Sequence, residues 1–249
     1  MTVAEINSTD NLIKNNGERK IHTLLFDLDN TLYPKSCGLA AQVSNRITQY
    51  MSIILNLPME EVDKVRNHYY KTYGLTLKGL MMNHEVNIDK YLDYVHGGLD
   101  LKSHLKPDAR LHACLKSVKS GVKKVIFSNA DIGHCKRVTR ELEIDDCFDA
   151  WLDYLEMMDF SKPHPVAYQM AMKKADTTDA SGCVFFDDVV ENLVEAKKAG
   201  MYTVLVGATS NDPHVDYCID EIHEFVNIFP ELIDQSKTTI TTPDTNTTN

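Results

Sequence analysis

Two aspartates one residue apart, Asp27 and Asp29, stand in the stretch FDLDNTLYP directly after the apolar run Ile21-His22-Thr23-Leu24-Leu25. Carboxylates so placed can divide labour: one stays ionised as a nucleophile, and its neighbour, with a raised proton affinity, acts as an acid. Asp and Asn also cap turns, and D-x-D is short enough to arise by chance. Three further polar groups decide between these readings. Ser128-Asn129 follows VKKVIF, Asp187-Asp188 follows CVFF, and Lys162 lies in Ser161-Lys162-Pro163, directly ahead of a helical pattern. Each alone reads as a helix cap or a solvated charge. Together, in this order, they compose a site, and the chemistry they suit is phosphoryl transfer. Acids at two strand ends supply hard oxygen ligands for Mg²⁺, while Ser128, Lys162 and backbone N–H groups surround the other phosphate oxygens.

These groups need a scaffold that brings strand ends together. The runs IHTLLFDLD, VKKVIFSNA, CVFFDD and YTVLVG read as strands buried on both faces, and FDAWLDY adds a weaker one. Helical patterns alternate with them: Gly133 to Leu142, Pro165 to Ala175, and VVENLVEAKKAG with Gly200 at its stop. That alternation predicts an α/β fold with a parallel sheet and helices on both sides, where ligands bind beyond the carboxyl ends of the strands. Asp27 and Asp29 share one side if the first strand persists through them. The first crossover breaks the rhythm, with roughly 90 residues where a dozen or more suffice. Within it, Leu39, Val43, Ile47, Met51 and Ile54 recur at helical spacing, a second helix starts near Pro58 with Glu60 and Glu61, and Thr76 to Met82 and Ile88 to Val95 add two more. The expected organisation is a core of residues 19–36 and 106–235, a helical cap over 37–105, a flexible segment over 1–18 and a disordered Thr-rich tail over 236–249.

Composition bounds the partners. The 249 residues are 43% hydrophobic and 25% charged, as in an ordinary globular protein, and the formal charge is -10. No Lys/Arg cluster is dense enough to track a phosphate backbone, so nucleic acid is not an expected partner. Cys37, Cys114, Cys135, Cys147, Cys183 and Cys218 form no C-x-x-C pair, which argues against a zinc site and a disulfide framework. No secretory signal and no run of transmembrane length is evident, so the expectation is a cytoplasmic protein without membrane contact, monomeric or homodimeric.

With these motifs assembled, the chain resembles the haloacid dehalogenase superfamily of aspartate-nucleophile phosphatases. The resemblance rests on Asp27-Leu28-Asp29-Asn30-Thr31, Ser128-Asn129, Lys162-Pro163, and Asp187-Asp188 with Asn192 following, and it spans about Ile21 to Phe229. It implies a Rossmann-like core with a small type I cap inserted after strand 1. It further implies Asp27 as the nucleophile that becomes an aspartyl-phosphate and Asp29 as the group that protonates the leaving oxygen and then activates water. Mg²⁺ would be held by Asp27, the Asp29 carbonyl and Asp188, with Asp187 direct or through water; phosphate would be bound by Ser128, Lys162 and the backbone at Asn129. Asn192 stands where a second Asp is common, which puts its role as a ligand in doubt.

A narrower resemblance is to the pyrimidine 5'-nucleotidase branch of fungi and plants. It rests on FDLDNTLYP, Tyr69-Tyr70-Lys71-Thr72-Tyr73-Gly74, Leu105-Lys106-Pro107-Asp108, FSNA and FFDDVVEN. It implies a small phosphorylated metabolite, a nucleoside monophosphate such as UMP or CMP, as substrate. The alternatives are a lysophosphatidate or sugar-phosphate phosphatase and a phosphomutase. A dehalogenase would need neither Mg²⁺ nor Asp29. Tyr70 and Tyr73 are candidate cap residues for a base, against the competing use of these tyrosines in packing. His164 is placed to approach Lys162, and Trp151 reads as core.

Overall fold

The computed structural model describes residues 20–237. The expected flexible segment 1–18 and the Thr-rich tail beyond 237 lie outside the described residues. Six parallel strands form one sheet: β1 (Thr23–Phe26), β2 (Lys123–Phe127), β3 (Ala150–Leu152), β4 (Cys183–Asp187), β5 (Tyr202–Val206) and β6 (Tyr217–Ile219). Their order is β3-β2-β1-β4-β5-β6, so the chain winds outward from β1 in one direction and then from β4 in the other. The reversal falls between β1 and β4, and a crevice at such a point is where open sheets bind ligands.

The sheet is buried on both faces because its central strands carry apolar runs, residues 24–26, 125–127 and 183–186, that are not interrupted by polar residues. Leu24, Phe26, Ile126, Val184 and Phe186 point into one core, while Leu25, Val125, Phe127 and Phe185 point into the other. Helices α6 (Ala109–Ser117) and α7 (Ile132–Glu141) contribute Leu111, Leu115 and Val138 to the first. The one-turn helix α8 (Tyr154–Met157) and helices α9 (Pro165–Lys174) and α10 (Val190–Lys198) contribute Met157, Tyr168, Ala171 and Leu193 to the second. Asp108 and Asp131 accept from backbone N–H groups three residues on, at Leu111 and His134, and so start α6 and α7.

Between β1 and β2 stand α1 (Leu39–Leu55), α2 (Met59–Tyr73), α3 (Thr76–Asn83), α4 (Ile88–Leu92) and α5 (Leu101–His104). The first four share a hydrophobic cluster with Met51, Val62, Leu80, Tyr91 and Val95 buried in it, which Tyr154 joins from beyond β3, while Leu101 of α5 packs into the first sheet core. Gly74 ends α2 at φ 77, a left-handed conformation that suits glycine. Gly79 lets α3 lie against α2, since a side chain there would collide with Tyr69. The expected helix Ile88 to Val95 passes at Leu92 into a π-helical turn, Asp93–Gly97.

Three expectations are corrected. β1 ends at Phe26: the Asp27 N–H still donates to Phe186 O at 2.9 Å, but Leu28 turns into the core and Asn30 takes φ 62, so Asp29 sits in a turn, not on a strand. Trp151 is only partly buried, because β3 is the sheet edge, and its ring meets Phe148 at 5.7 Å. α6 and β6, which the sequence reading left out, complete the core. Among the described residues no helix is long and apolar enough to cross a membrane.

Phe186 stacks on Phe26 at 4.9 Å and meets Phe225 edge-on, all fully buried. Phe186→Ala should therefore cost about 3–5 kcal/mol in urea unfolding. Ile53→Ala, at a residue 69% exposed, should stay within about 0.5 kcal/mol. Equal costs at the two positions would contradict this packing.

Candidate active site

The carboxyl ends of β1, β2 and β4 converge on one cavity of about 1020 Å³, into which Asp27, Asp29, Ser128, Lys162 and Asp188 open. Its centre is a buried cation. Lys162 Nζ lies 2.7 Å from Asp27 Oδ1 and 2.8 Å from Asp187 Oδ2, with its side chain 1% exposed. Burial opposes that charge, yet Asp187 and Asp27 outweigh it and hold the ammonium above its usual range. Lys162 is fixed through its backbone as well: Asn129 Nδ2 donates to Lys162 O and Asn129 Oδ1 accepts from Lys162 N, both at 2.9 Å. The Asn129 side chain is therefore a clamp on the lysine loop. Ser128 Oγ accepts from Ala130 N at 3.1 Å, which leaves its own proton to donate.

The acids differ in their surroundings. Burial raises Asp27 well above the ordinary carboxylate value; Lys162 counters this, and Asp187 and Asp188 add to it. Asp187 is fully buried and saturated: it accepts from Lys162 Nζ, from Val189 N at 2.8 Å, and from Asn192 Nδ2 at 3.0 Å on both oxygens. Asp188 accepts from Asn30 Nδ2 at 3.3 Å, and burial together with Asp187 lifts it to about 6. Oxygens of Asp27, Asp187 and Asp188 all lie within 4.8 Å of one another. Such a set of hard donors fits a divalent cation, and the buried Oδ1 of Asn30 beside Asp188, which has no partner, is a further oxygen in want of one.

Asp29 is set apart. Its Oδ1 accepts from Tyr33 OH at 2.5 Å and from His134 Nε2 at 2.8 Å. Burial raises its proton affinity, but His134 and Tyr33 prevail and hold it at about 2. His134, though burial opposes its charge, is correspondingly raised by Asp29.

Residues 21–200 match the haloacid dehalogenase-like hydrolase family. The chain belongs to that family. It is similar to phosphate metabolism protein 8 of Saccharomyces cerevisiae, 28% identical over 72% of this chain and 60% of the yeast protein, so it spans less than two thirds of that relative. It is also similar to phosphatase MT3486 of Mycobacterium tuberculosis, 26% identical over 75% of this chain and 87% of the other. Among solved structures, a HAD phosphatase from Thermococcus onnurineus superposes with a TM-score of 0.59 at 15% identity, covering 84% of this chain and 98% of that one.

In this haloacid dehalogenase-like chain, Asp27, Asp29, Ser128, Asn129, Lys162, Asp187 and Asp188 come together as the spacing implied. Tyr70 lines the cavity, half exposed. Tyr73 does not: its ring packs on Tyr69 at 6.0 Å and its hydroxyl accepts from Asn83, because Tyr69 and Tyr73 share the inner face of α2. His164 caps α9 by accepting from Val166 N at 3.2 Å. Sequence reasoning missed Tyr33 and His134. Tyr33 follows Asp29 by four residues in the same turn, and His134 lies in the first turn of the helix after Ser128-Asn129, so both signals were present but unremarkable alone.

Replacing Lys162 by Met leaves Asp27 and Asp187 buried without their cation, so the native state binds protons more tightly than the unfolded chain. Stability of Lys162→Met should then fall as pH rises above the ordinary carboxylate value of 3.8. At pH 7 the deficit against the wild type should reach about 3–5 kcal/mol. Urea unfolding in EDTA at pH 5 and pH 7 reads it; an identical deficit at both pH values would sink the argument.

Proposed function

We propose that the protein is a Mg²⁺-dependent phosphomonoester hydrolase that works through an aspartyl-phosphate on Asp27. The observation that carries this reading is the pairing of a carboxylate on a buried lysine with a second, separately held carboxylate, both open to one cavity. Asp27 and Asp188 would hold the metal together with the Asp29 carbonyl, while Asp187, its acceptor sites filled, keeps Lys162 in place. Bound there, Mg²⁺ supplies positive charge to a phosphate oxygen.

The chain's own residues do the rest. Lys162 and the Ser128 hydroxyl hold the phosphoryl oxygens and offset charge as it shifts in the transition state. Asp27 attacks phosphorus, the P–O bond to the leaving group breaks, and Asp29 gives that oxygen its proton. Asp29 is anionic in the free site; a phosphate dianion beside it disfavours its charge, so it takes up a proton from solvent as the substrate binds and holds it for the leaving oxygen. Once the alcohol has left, anionic Asp29 takes a proton from water, which attacks phosphorus and frees Asp27 as phosphate departs.

Residues 37–105 would act as the cap that covers this chemistry and selects the leaving group. The wall they offer the cavity is mostly apolar, with Val43, Ile47, Leu75, Leu77, Tyr91 and Leu92. Such a wall suits a nucleoside better than a sugar, whose hydroxyls would lose their hydrogen bonds, and Tyr70 is available to stack on a base. We therefore favour a pyrimidine nucleoside 5'-monophosphate. An acyl chain would find the same wall, which keeps lysophosphatidate as the second reading.

Phosphate release should be measured with Mg²⁺ and with EDTA over nucleoside monophosphates, sugar phosphates and lysophosphatidate. Selective, metal-dependent hydrolysis of UMP and CMP is the expected result, with Asp27→Asn inactive; near-normal turnover by Asp27→Asn would remove the nucleophile assignment. Asp29→Asn should slow turnover about 10²–10⁴-fold with little change in KM.

A further inference from the structure

Both donors that reach Asp29 converge on the same oxygen, Oδ1, and among the described residues no hydrogen bond reaches Oδ2. Two donors from different elements on one oxygen restrain the plane of the carboxylate and leave the other oxygen without a donor, on a side chain that lines the cavity and is about a third exposed. His134 is itself held in an unusual way. Its side chain is fully buried, and while Nε2 meets Asp29, its Nδ1 has no partner among the described residues, so full hydrogen bonding is not what places the ring. Instead it lies flat on His96, with ring centroids 4.5 Å apart and planes 28° from parallel.

His96 comes from the inserted helices, in the π-helical turn Asp93–Gly97. Its Nδ1 pairs with Asp131, the residue that caps α7. One turn past His134, Arg137 donates to His96 O at 2.9 Å and Leu99 O at 3.1 Å. Asp131, His134 and Arg137, spaced by three along α7, thus grip the inserted segment and the acid at once.

We infer that Tyr33, His134 and His96 are positioning residues that present Asp29 Oδ2 to the leaving oxygen, and that His96 makes this depend on how the inserted helices are seated. The inference rests on the reading of Asp29 as the general acid. Proton transfer requires heavy atoms about 2.6–3.2 Å apart. A misplacement of about 1 Å costs on the order of 10²-fold.

The test compares two esters. The phenolate of p-nitrophenyl phosphate leaves without a proton, whereas the 5'-alkoxide of UMP, or of whichever alkyl ester the wild type prefers, needs one. Because kcat/KM covers the steps through phosphorylation of Asp27, it isolates the acid step. His134→Ala and His96→Ala should lower kcat/KM for the alkyl ester about 30-fold or more and leave p-nitrophenyl phosphate within about 3-fold. His134→Gln keeps an N–H for Asp29 and should recover most of the loss. Since His134→Ala opens a buried site, Tyr33→Phe, which removes only a hydroxyl, runs beside it and should show the same selectivity, with thermal unfolding confirming that each variant folds. Equal losses on both esters in folded variants would overturn the positioning roles, and an unchanged alkyl-ester rate in His96→Ala would overturn the dependence on the inserted helices. A wild type inactive on every ester would instead overturn the phosphatase reading, and this inference with it.

Discussion

The double ion pair of Lys162 with Asp27 and Asp187 is the contact on which the site's arrangement depends. Three carboxylates within 4.8 Å of one another repel, and burial makes each charge more costly, so without a cation among them at least one would take up a proton. Lys162 relieves that repulsion from within the protein. Its ammonium is also within 5.0 Å of the Phe127 ring centroid and 5.1 Å of that of Phe185, aromatic faces that favour a cation when water is excluded. Because the ammonium is buried, the geometry of Asp27 is set within the protein, before any ligand arrives.

That contact depends in turn on the winding of the sheet. Asp27 follows β1, Asn129 follows β2 and Asp187 ends β4; β1 and β4 flank the reversal in strand order, and β2 lies beside β1. Elsewhere in the sheet, the helix that leaves a strand end covers the next strand end; here the chain departs in both directions and leaves a crevice. The Phe26, Phe186 and Phe225 cluster beneath one face, and Phe127, Tyr168 and Phe185 beneath the other, hold the strands in register so that the polar ends meet. Tyr168 carries this through to the site, since its hydroxyl donates to Asn192 O at 2.7 Å while the Asn192 amide braces Asp187.

The sequence made the strands and the four polar stations legible because each station is a polar interruption at the end of an apolar run, a local pattern. The insertion was legible for a similar reason: the crossover was too long for one helix, and Leu39, Val43, Ile47 and Met51 kept helical period. What stayed hidden is what depends on tertiary convergence. Tyr33, His96 and His134 meet around Asp29 from three separate stretches of chain, and no spacing rule links them. Tyr73 misled because position on a helix face follows from packing: Tyr69 and Tyr73 turn inward together, and Tyr70, one residue on from Tyr69, is left to the cavity. The short elements α6 and β6 carried too few periodic residues to stand out, although Asp108 marked the start of α6.

Asp187 and Asp188 show why two identical neighbouring acids are not redundant. Asp187 is the last residue of β4, so its side chain points into the protein, where Lys162, Asn192 and the Val189 N–H fill its acceptor sites. Asp188 lies one peptide beyond the strand, lines the cavity and accepts from Asn30 Nδ2 at 3.3 Å. A carboxylate with its acceptor sites filled is committed to the protein, whereas one that is close to two other acids and lifted to about 6 carries the less compensated charge. The period of a strand, which sends successive residues to opposite sides, has thus turned one repeated residue into a buried brace and a carboxylate open to the cavity. Exchanging their surroundings would require moving the end of β4 by one residue, and the pairing of Asp187 with Leu205 on β5 fixes that end.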